Sequence, residues 1–213
     1  MVLFSGLEPE ISVINYIKII FLIIFSTIIY SCEQKEYVKD FKVEGIAVGD
    51  SLLTYFSKEH ILEFQRKNDV KGNPIDLSNK IYIDSVFDRF KFETYESLQV
   101  YYRIDDNDFK ILSIGGLIWY GTDSKSCMNK LFEVRDLLKD QYKTPKIEEE
   151  LDTPSYDVEM GDSRYNKISF VFDNGEMIMI SCNDYDNELL DIQDYFDLQI
   201  YSAELTKFLG YIE

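Results

Sequence analysis

This 213-residue chain contains six strand-like segments that do not alternate one-for-one with helices, and this pattern restricts the fold classes that the chain can adopt. Only one long segment has the 3.6-residue spacing of an amphipathic helix. Strands joined by tight turns pair antiparallel, because parallel strands need a long crossover between them. The pattern therefore predicts an α+β fold, in which an antiparallel sheet of five to six strands carries a long helix on one face. The predicted strands are 80–87, 98–104, 109–120, 166–172, 177–182 and 195–201.

The clearest hairpin of the sequence lies on either side of Asn174 and Gly175. This pair is favoured in a two-residue type I′ turn, in which both central residues have positive φ. Such a loop places Phe172 opposite Met177 and puts Cys182 on a largely aliphatic face, because side chains alternate along a strand. The hairpin is thus predicted in one specific register.

Two other segments carry turn-like residues. The acidic, turn-rich residues 146–164 predict a loop rather than a strand. Gly115 and Gly116 lie inside the third predicted strand, where consecutive glycines predict a bulge or a sharp bend. Both features suggest that the sheet is interrupted at these points.

An apolar run of eleven residues, from Ile19 to Ile29, follows Lys18 near the start of the chain. A short apolar run with a basic residue ahead and small residues behind is typical of a secretory signal peptide. The run is short of the roughly 20 apolar residues that a spanning helix needs. An uncleaved anchor helix that crosses the membrane is the alternative.

The segment Ile29-Tyr30-Ser31-Cys32 resembles the lipobox of bacterial lipoprotein signal peptides. The resemblance implies cleavage before Cys32, whose sulfur then carries the lipid. It also implies a location in the bacterial cell envelope, where a domain tethered to the membrane faces the periplasm. We therefore expect residues 1–32 to be a signal peptide or membrane anchor, 33–42 a tether, and 43–213 one α+β domain.

A second resemblance covers much of the predicted domain. The segment Gly45–Ile61, with the sequence GIAVGDSLLTYFSKEHI, the helix near Cys127 and the late strand that ends at Cys182 resemble predicted small bacterial lipoproteins. That family has no assigned activity. The resemblance therefore agrees with the lipobox but implies no catalytic role.

Cys127 and Cys182 are the two cysteines that remain if Cys32 carries lipid. An even pair in an exported domain favours a disulfide bond, because the envelope is oxidising. Cys127 lies on the apolar stripe of the predicted helix, so both sulfurs can point into one helix–sheet interface. Two buried free thiols, or a reactive or metal-binding pair, are the alternatives.

The net charge of −17 argues against nucleic acid as a partner. Binding to nucleic acid begins with Lys and Arg side chains that neutralise phosphates, and this chain has 22 basic against 39 acidic residues. The expected partners are the membrane, reached through the N-terminal lipid or helix, and a protein of the envelope.

Gly49-Asp50-Ser51-Leu52 resembles the motif after which the GDSL hydrolases are named, whose Ser is the nucleophile. A serine nucleophile needs a general base within hydrogen-bond reach. The only histidine is His60, nine residues after Ser51, and the Asp-x-x-His that this family carries near its C-terminus is missing. We interpret Ser51 as a turn residue and helix cap, with an esterase as the enzyme alternative.

The acidic stretch near the C-terminus lacks the Gly and Glu spacing of an EF-hand loop, so a solvated loop is the first interpretation. A ligand or Ca²⁺ sensor stays an alternative, and we expect no cofactor or bound metal. Trp119 can line a binding groove together with Tyr101, Tyr102 and Tyr120, although aromatic residues on strands are more often core. The sequence thus predicts a non-enzymatic envelope lipoprotein that acts as a binding or structural module. The acidic residues are Asp184, Asp186, Glu188, Asp191 and Asp194.

Overall fold

The computed structural model of the chain describes residues 38, 41–63, 81–86, 92–103, 105–155, 158–186 and 188–212. Its strands are β1 (Lys42–Val43), β2 (Ile46–Ala47), β3 (Ile81–Val86), β4 (Ser97–Arg103), β5 (Ile111–Gly121), β6 (Lys146–Pro154), β7 (Arg164–Val171), β8 (Met177–Asp184) and β9 (Asp194–Tyr201). Its helices are α1 (Ser124–Gln141) and α2 (Ala203–Phe208), with 3₁₀ turns at Leu52–Thr54 and Val158–Met160 and helical residues at 58–63.

Within these residues, seven strands form one antiparallel sheet in the order β3–β4–β5–β9–β8–β7–β6. The α+β prediction is therefore confirmed for the sheet and its long helix, although the sheet has seven strands rather than five to six. The predicted N-terminal signal or anchor helix lies outside the described residues. Among the described helices, none has the length and apolar character that crossing a membrane requires.

One face of the sheet packs against α1 and forms the main core. Asp123 precedes the helix, and its carboxylate accepts a 3.1 Å hydrogen bond from the Ser126 backbone N–H and so caps the first turn. The helix ends at Gln141, and the following residue, Tyr142, is extended. The stripe that the helix buries has helical spacing, and it consists of Cys127, Leu131, Val134 and Leu138.

The prediction of a loop over residues 146–164 is wrong for its first half, which forms the edge strand β6. Almost every residue of β6 is exposed, so the strand has no apolar alternation by which a sequence could reveal it. Its acidic side chains form ion pairs with lysines of neighbouring elements. Glu149 pairs with Lys139 on α1 at 3.0 Å, and Glu150 pairs with Lys167 on β7 at 2.8 Å. Charged side chains of this kind also protect an edge strand from pairing with other chains.

The β7–β8 hairpin exists, but its predicted register is wrong by one residue. Val171, not Phe172, pairs with Met177. Of the two loop residues, only Gly175 has positive φ, at 85°, so a type I′ turn does not form. Instead, the Phe172 N–H bonds to the Glu176 carbonyl around a three-residue loop. Cys182 nevertheless faces the core, because the alternation within β8 is unaffected.

The packed domain reaches back to Val38, inside the segment 33–42 that the sequence predicts as a tether. Val38 is 1% exposed, and its backbone N–H donates to the Glu176 carboxylate at 2.9 Å. Phe41 also packs against the core, next to β1. The compact unit that contains the sheet comprises residues 37–213.

Candidate functional site

The face of the sheet opposite α1 carries polar side chains at positions where a sheet usually buries apolar ones. These side chains lie in neighbouring positions on β4, β5, β8 and β9, because directly paired residues share a face. We call this surface the polar face. Its polar residues include Ser97, Ser113, Ser181, Asp197 and Gln199.

Asp197 lies at the centre of the polar face, in the middle of the central strand β9. It pairs with Leu117 on one side and with Ser181 on the other. Part of the residue stays exposed, yet its Oδ1 atom is buried and has no hydrogen-bond partner in the described part of the chain. Burial raises the pKa of Asp197 to about 7, because a shielded carboxylate disfavours its charged form.

Gln199, two residues further along β9, lies flat over the sheet. Its amide nitrogen donates a 2.8 Å hydrogen bond to the Ser113 hydroxyl. To reach Ser113, the Gln199 side chain crosses Gly115, where any Cβ would overlap with it. The Oε1 atom of Gln199 and the hydroxyl of Ser97 are, like Asp197 Oδ1, buried with no hydrogen-bond partner among the described residues.

Aromatic rings border the polar face at both ends of β9. At one end, Trp119 packs edge-on against Tyr195 with ring centroids 5.1 Å apart, and Tyr195 also contacts Tyr185 at 5.9 Å. At the other end, Tyr101 and Tyr201 lie 6.4 Å apart. These pairs place the Asp197 carboxylate between two groups of aromatic rings.

The tyrosines around Asp197 keep their protons. Burial first, and then the nearby carboxylate of Asp197, raise the pKa of Tyr101 to about 12. Burial also raises the pKa of Tyr195 and of Tyr201 well above the ordinary tyrosine value. The rings therefore present neutral hydroxyl groups near the carboxyl group of Asp197.

Helix α2 closes one end of the polar face. Its Leu205 is buried with Met177 and Tyr201 in a second, smaller core. Arg103 on β4 bonds to Glu204 on α2 at 2.7 Å, which holds the helix against the sheet. The partly exposed positions of the face include Leu117 and Trp119 on β5, whereas Gln199 is buried.

A small cleft lies beyond the aromatic end of the polar face. It holds about 180 Å³, below the roughly 300–1,000 Å³ of most small-molecule sites. Its only charged residue, Arg164, is already paired with Asp152 at 2.8 Å. The cleft therefore extends the polar face rather than forming a site of its own. Its lining consists of Ser155, Met160, Ser163, Arg164, Tyr165, Asn183 and Tyr185.

Cys127 and Cys182 lie within disulfide distance, with their sulfur atoms 2.06 Å apart and their Cα atoms 5.7 Å apart. The pair joins α1 to β8 on the core face and spans 55 residues. The third cysteine, Cys32, for which the sequence predicts lipidation, lies outside the described residues.

Ser51 has the contacts of a structural cap. Its hydroxyl accepts a hydrogen bond from the Leu53 N–H at 3.2 Å and donates one to the Asp108 carbonyl. Asp50 is likewise engaged, with the Tyr55 hydroxyl and the Ala47 N–H. The ring of His60, the only candidate base, stacks on Phe56. These contacts give no support to the esterase alternative.

The acidic residues near the C-terminus mostly bind backbone N–H groups. Asp186 accepts from Asp162, Glu188 and Leu189, and Asp194 accepts from Tyr185 at 2.9 Å. No group of three acidic, histidine or cysteine side chains that could hold a metal occurs in the described part of the chain.

Comparison with known proteins adds no family to this description. No family model matches the chain, and no match is found among curated proteins or solved structures. The site therefore has to be interpreted from its own chemistry. Sequence reasoning missed Asp197 and Gln199, although a charged residue between Phe196 and Leu198 in an apolar strand was a usable signal.

Proposed function

We propose that the protein is a binding module of the bacterial cell envelope, tethered to the membrane through Cys32, and that the polar face is its binding surface. The observation that carries this proposal is the buried, unpaired Oδ1 atom of Asp197 in the central strand. Burying a carboxylate without a partner costs stability, and such groups concentrate at functional sites. Neighbouring positions with partial exposure, such as Leu117 and Trp119, leave the surface open to a ligand.

The cysteine arrangement supports export. Cys127 and Cys182 lie at disulfide distance in the core, which suits an oxidising compartment. This leaves Cys32 as the one cysteine for the lipid that the lipobox resemblance implies. The Glu-rich edge strand and the net charge of −17 do not favour nucleic acid as a partner.

Metabolic labelling with a fatty acid tests the tether. We expect the wild-type chain to incorporate label and to fractionate with membranes, and Cys32→Ala to do neither. Cys127→Ala is the matched control, since it removes a cysteine that the proposal does not assign to lipid, and it should still be labelled. An unlabelled wild-type chain contradicts the tether.

Native mass spectrometry of the full chain purified from envelopes tests the binding surface. We expect the wild-type chain to carry a small-molecule adduct and Met179→Trp to lack it. Met179 is partly exposed and pairs with Gln199, so an indole at this position covers the neighbouring part of the polar face. Leu137→Trp is the control: Leu137 is 59% exposed on α1, remote from the polar face. An adduct retained by Met179→Trp places the ligand elsewhere.

A further inference from the structure

Three buried polar atoms on the β4 and β9 parts of the polar face have no hydrogen-bond partner among the described residues. They are Asp197 Oδ1, Gln199 Oε1 and Ser97 Oγ. Asp197 and Gln199 are two residues apart on β9, and both Ser97 and Asp197 pair with Leu117, from opposite sides. Native proteins leave few buried polar atoms unpaired, so three on one face indicate a missing hydrogen-bonding group.

At Asp197 and Gln199 the missing group has to donate hydrogen bonds, because a carboxylate oxygen and an amide oxygen accept them, whereas the Ser97 hydroxyl can donate or accept. The charge of Asp197 adds a requirement for a positive group. The chain does not supply one from the residues described on this face. Lys167 lies in the same row as Asp197, beyond Ser181, but it is paired with Glu150 at 2.8 Å. Arg103 is held by Asp105 and Glu204.

The surroundings of Asp197 suit an organic cation rather than a bare metal ion. Tyr195 lies two positions along β9 and packs against Trp119, and aromatic rings attract cations through their faces. Leu117 pairs with Asp197, and Met179 pairs with Gln199, so apolar surface lies beside both acceptors. An alkyl chain can pack on these side chains while its charged end reaches the carboxylate.

We infer that the polar face binds a small organic cation through a primary alkylammonium group, which donates hydrogen bonds to Asp197 Oδ1 and Gln199 Oε1. This inference rests on the proposed function, since it assigns a ligand class to the same binding surface. It adds the sign of the ligand's charge, the kind of donor and the two side chains that select it.

Three small probes of equal length test the inference: n-butylammonium, n-butanol and n-butyrate. Each is added to the detergent-purified full chain at about pH 8, above the pKa of about 7 of Asp197. We expect n-butylammonium to raise the melting temperature in a concentration-dependent way, because a ligand that binds only the native state stabilises it. The alcohol and the carboxylate should have no such effect.

Asp197→Asn keeps the shape of the side chain and removes its charge, so it should weaken n-butylammonium binding about tenfold or more by calorimetry. Asp191→Asn makes the same change at an exposed loop position and should leave the affinity unchanged. Equal affinity of wild type and Asp197→Asn, or no binding of n-butylammonium to the wild type, overturns the inference.

The outcomes separate this inference from the proposed function. If n-butanol or n-butyrate binds and Met179→Trp prevents it, the polar face is a binding surface and only the ammonium assignment fails. If the envelope-purified chain carries an adduct that Met179→Trp does not remove, the binding surface itself is misplaced. Fatty-acid labelling of Cys32 reports on the tether independently of both.

Discussion

Gln199 on β9 lies flat across Gly115 on β5, and any Cβ at position 115 would overlap with its side chain. The next residue, Gly116, leaves room in the same way for the ring of Tyr95. The two glycines therefore admit side chains over β5 without the bulge or bend that their sequence suggests. The irregularities of this strand lie instead near its two ends.

We predict that Gly115→Ala destabilises the domain by about 1–3 kcal/mol, because the added methyl overlaps with Gln199 and approaches the Leu198 carbonyl. Urea denaturation measures this loss. The double variant Gly115→Ala/Gln199→Ala is the control, since it removes the closest overlapping atoms. Gly115→Ala should therefore lower the free energy of unfolding by less in the Gln199→Ala variant than in the wild type. An equal loss in both contradicts the overlap.

The stability of the domain should fall as pH rises towards neutrality, because of Asp197. Its pKa is about 7 in the folded state against 3.8 for an unperturbed Asp, so the folded state holds its proton more tightly. The favourable contribution is complete below about pH 4 and is lost as pH rises through 7. Its full size is at most about 4 kcal/mol, and less where solvent reaches the carboxylate.

Asp197→Asn should flatten this part of the pH profile, since an amide does not titrate. The free energy of unfolding, measured by urea denaturation between about pH 4 and pH 8, should favour the variant over the wild type increasingly as pH rises. Asp191→Asn, at the exposed loop position, should follow the wild-type profile. Parallel profiles of wild type and Asp197→Asn contradict the assignment.

Glu44 should have the opposite pH dependence. Burial alone would raise the pKa of Glu44, but hydrogen bonds from the N–H groups of Glu93, Thr94 and Tyr95 lower it overall. Its stabilising contribution is therefore present above the unperturbed value of 4.5 and is lost as pH falls through the lowered folded-state pKa.

Glu44→Ala should expose the three N–H groups to solvent, because no other acceptor is paired with them in the described chain. Hydrogen exchange at residues 93–95 should accelerate by about tenfold or more, since tenfold already corresponds to the loss of about one charge-assisted bond. Glu44→Gln is the control. It keeps one side-chain oxygen as an acceptor, so its exchange rates should lie between those of wild type and Glu44→Ala.

Removal of the Cys127–Cys182 pair should lower stability by about 3–4 kcal/mol, since a bond across 55 residues restricts the unfolded chain. Urea denaturation of wild type with and without reductant measures this loss. The double variant Cys127→Ala/Cys182→Ala should be insensitive to reductant. A wild-type chain whose stability does not respond to reductant has free thiols at these positions.

The sequence predicts most elements of the fold, because each is encoded by local spacing. The stripe from Cys127 to Leu138 indicates α1, and the alternation of Ile178, Ile180 and Cys182 places the second cysteine on the core side. The register of the hairpin is a different matter. It depends on whether Asn174 takes a positive φ, and the backbone instead uses Gly175 alone.

The candidate site is harder to foresee. The sequence predicts that Asp197 lies in a strand. Whether it lies at the centre of the sheet depends on the order of the strands, and no local pattern in the sequence shows that β9 lies between β5 and β8. Trp119 and Tyr101 are candidates for a groove from their aromatic character alone. Their arrangement around one carboxylate follows from pairings between residues up to about a hundred positions apart, which no local pattern encodes.

The last strand of the chain occupies the middle of the sheet, and this has a consequence for biosynthesis. While Asp194–Tyr201 is still inside the ribosome, β5 and β8 have no partner between them, so the sheet exists only as two unconnected halves. The core therefore cannot close until Asp194–Tyr201 has emerged. A chain truncated before Asp194 is left with two half-sheets and lacks the strand that joins them.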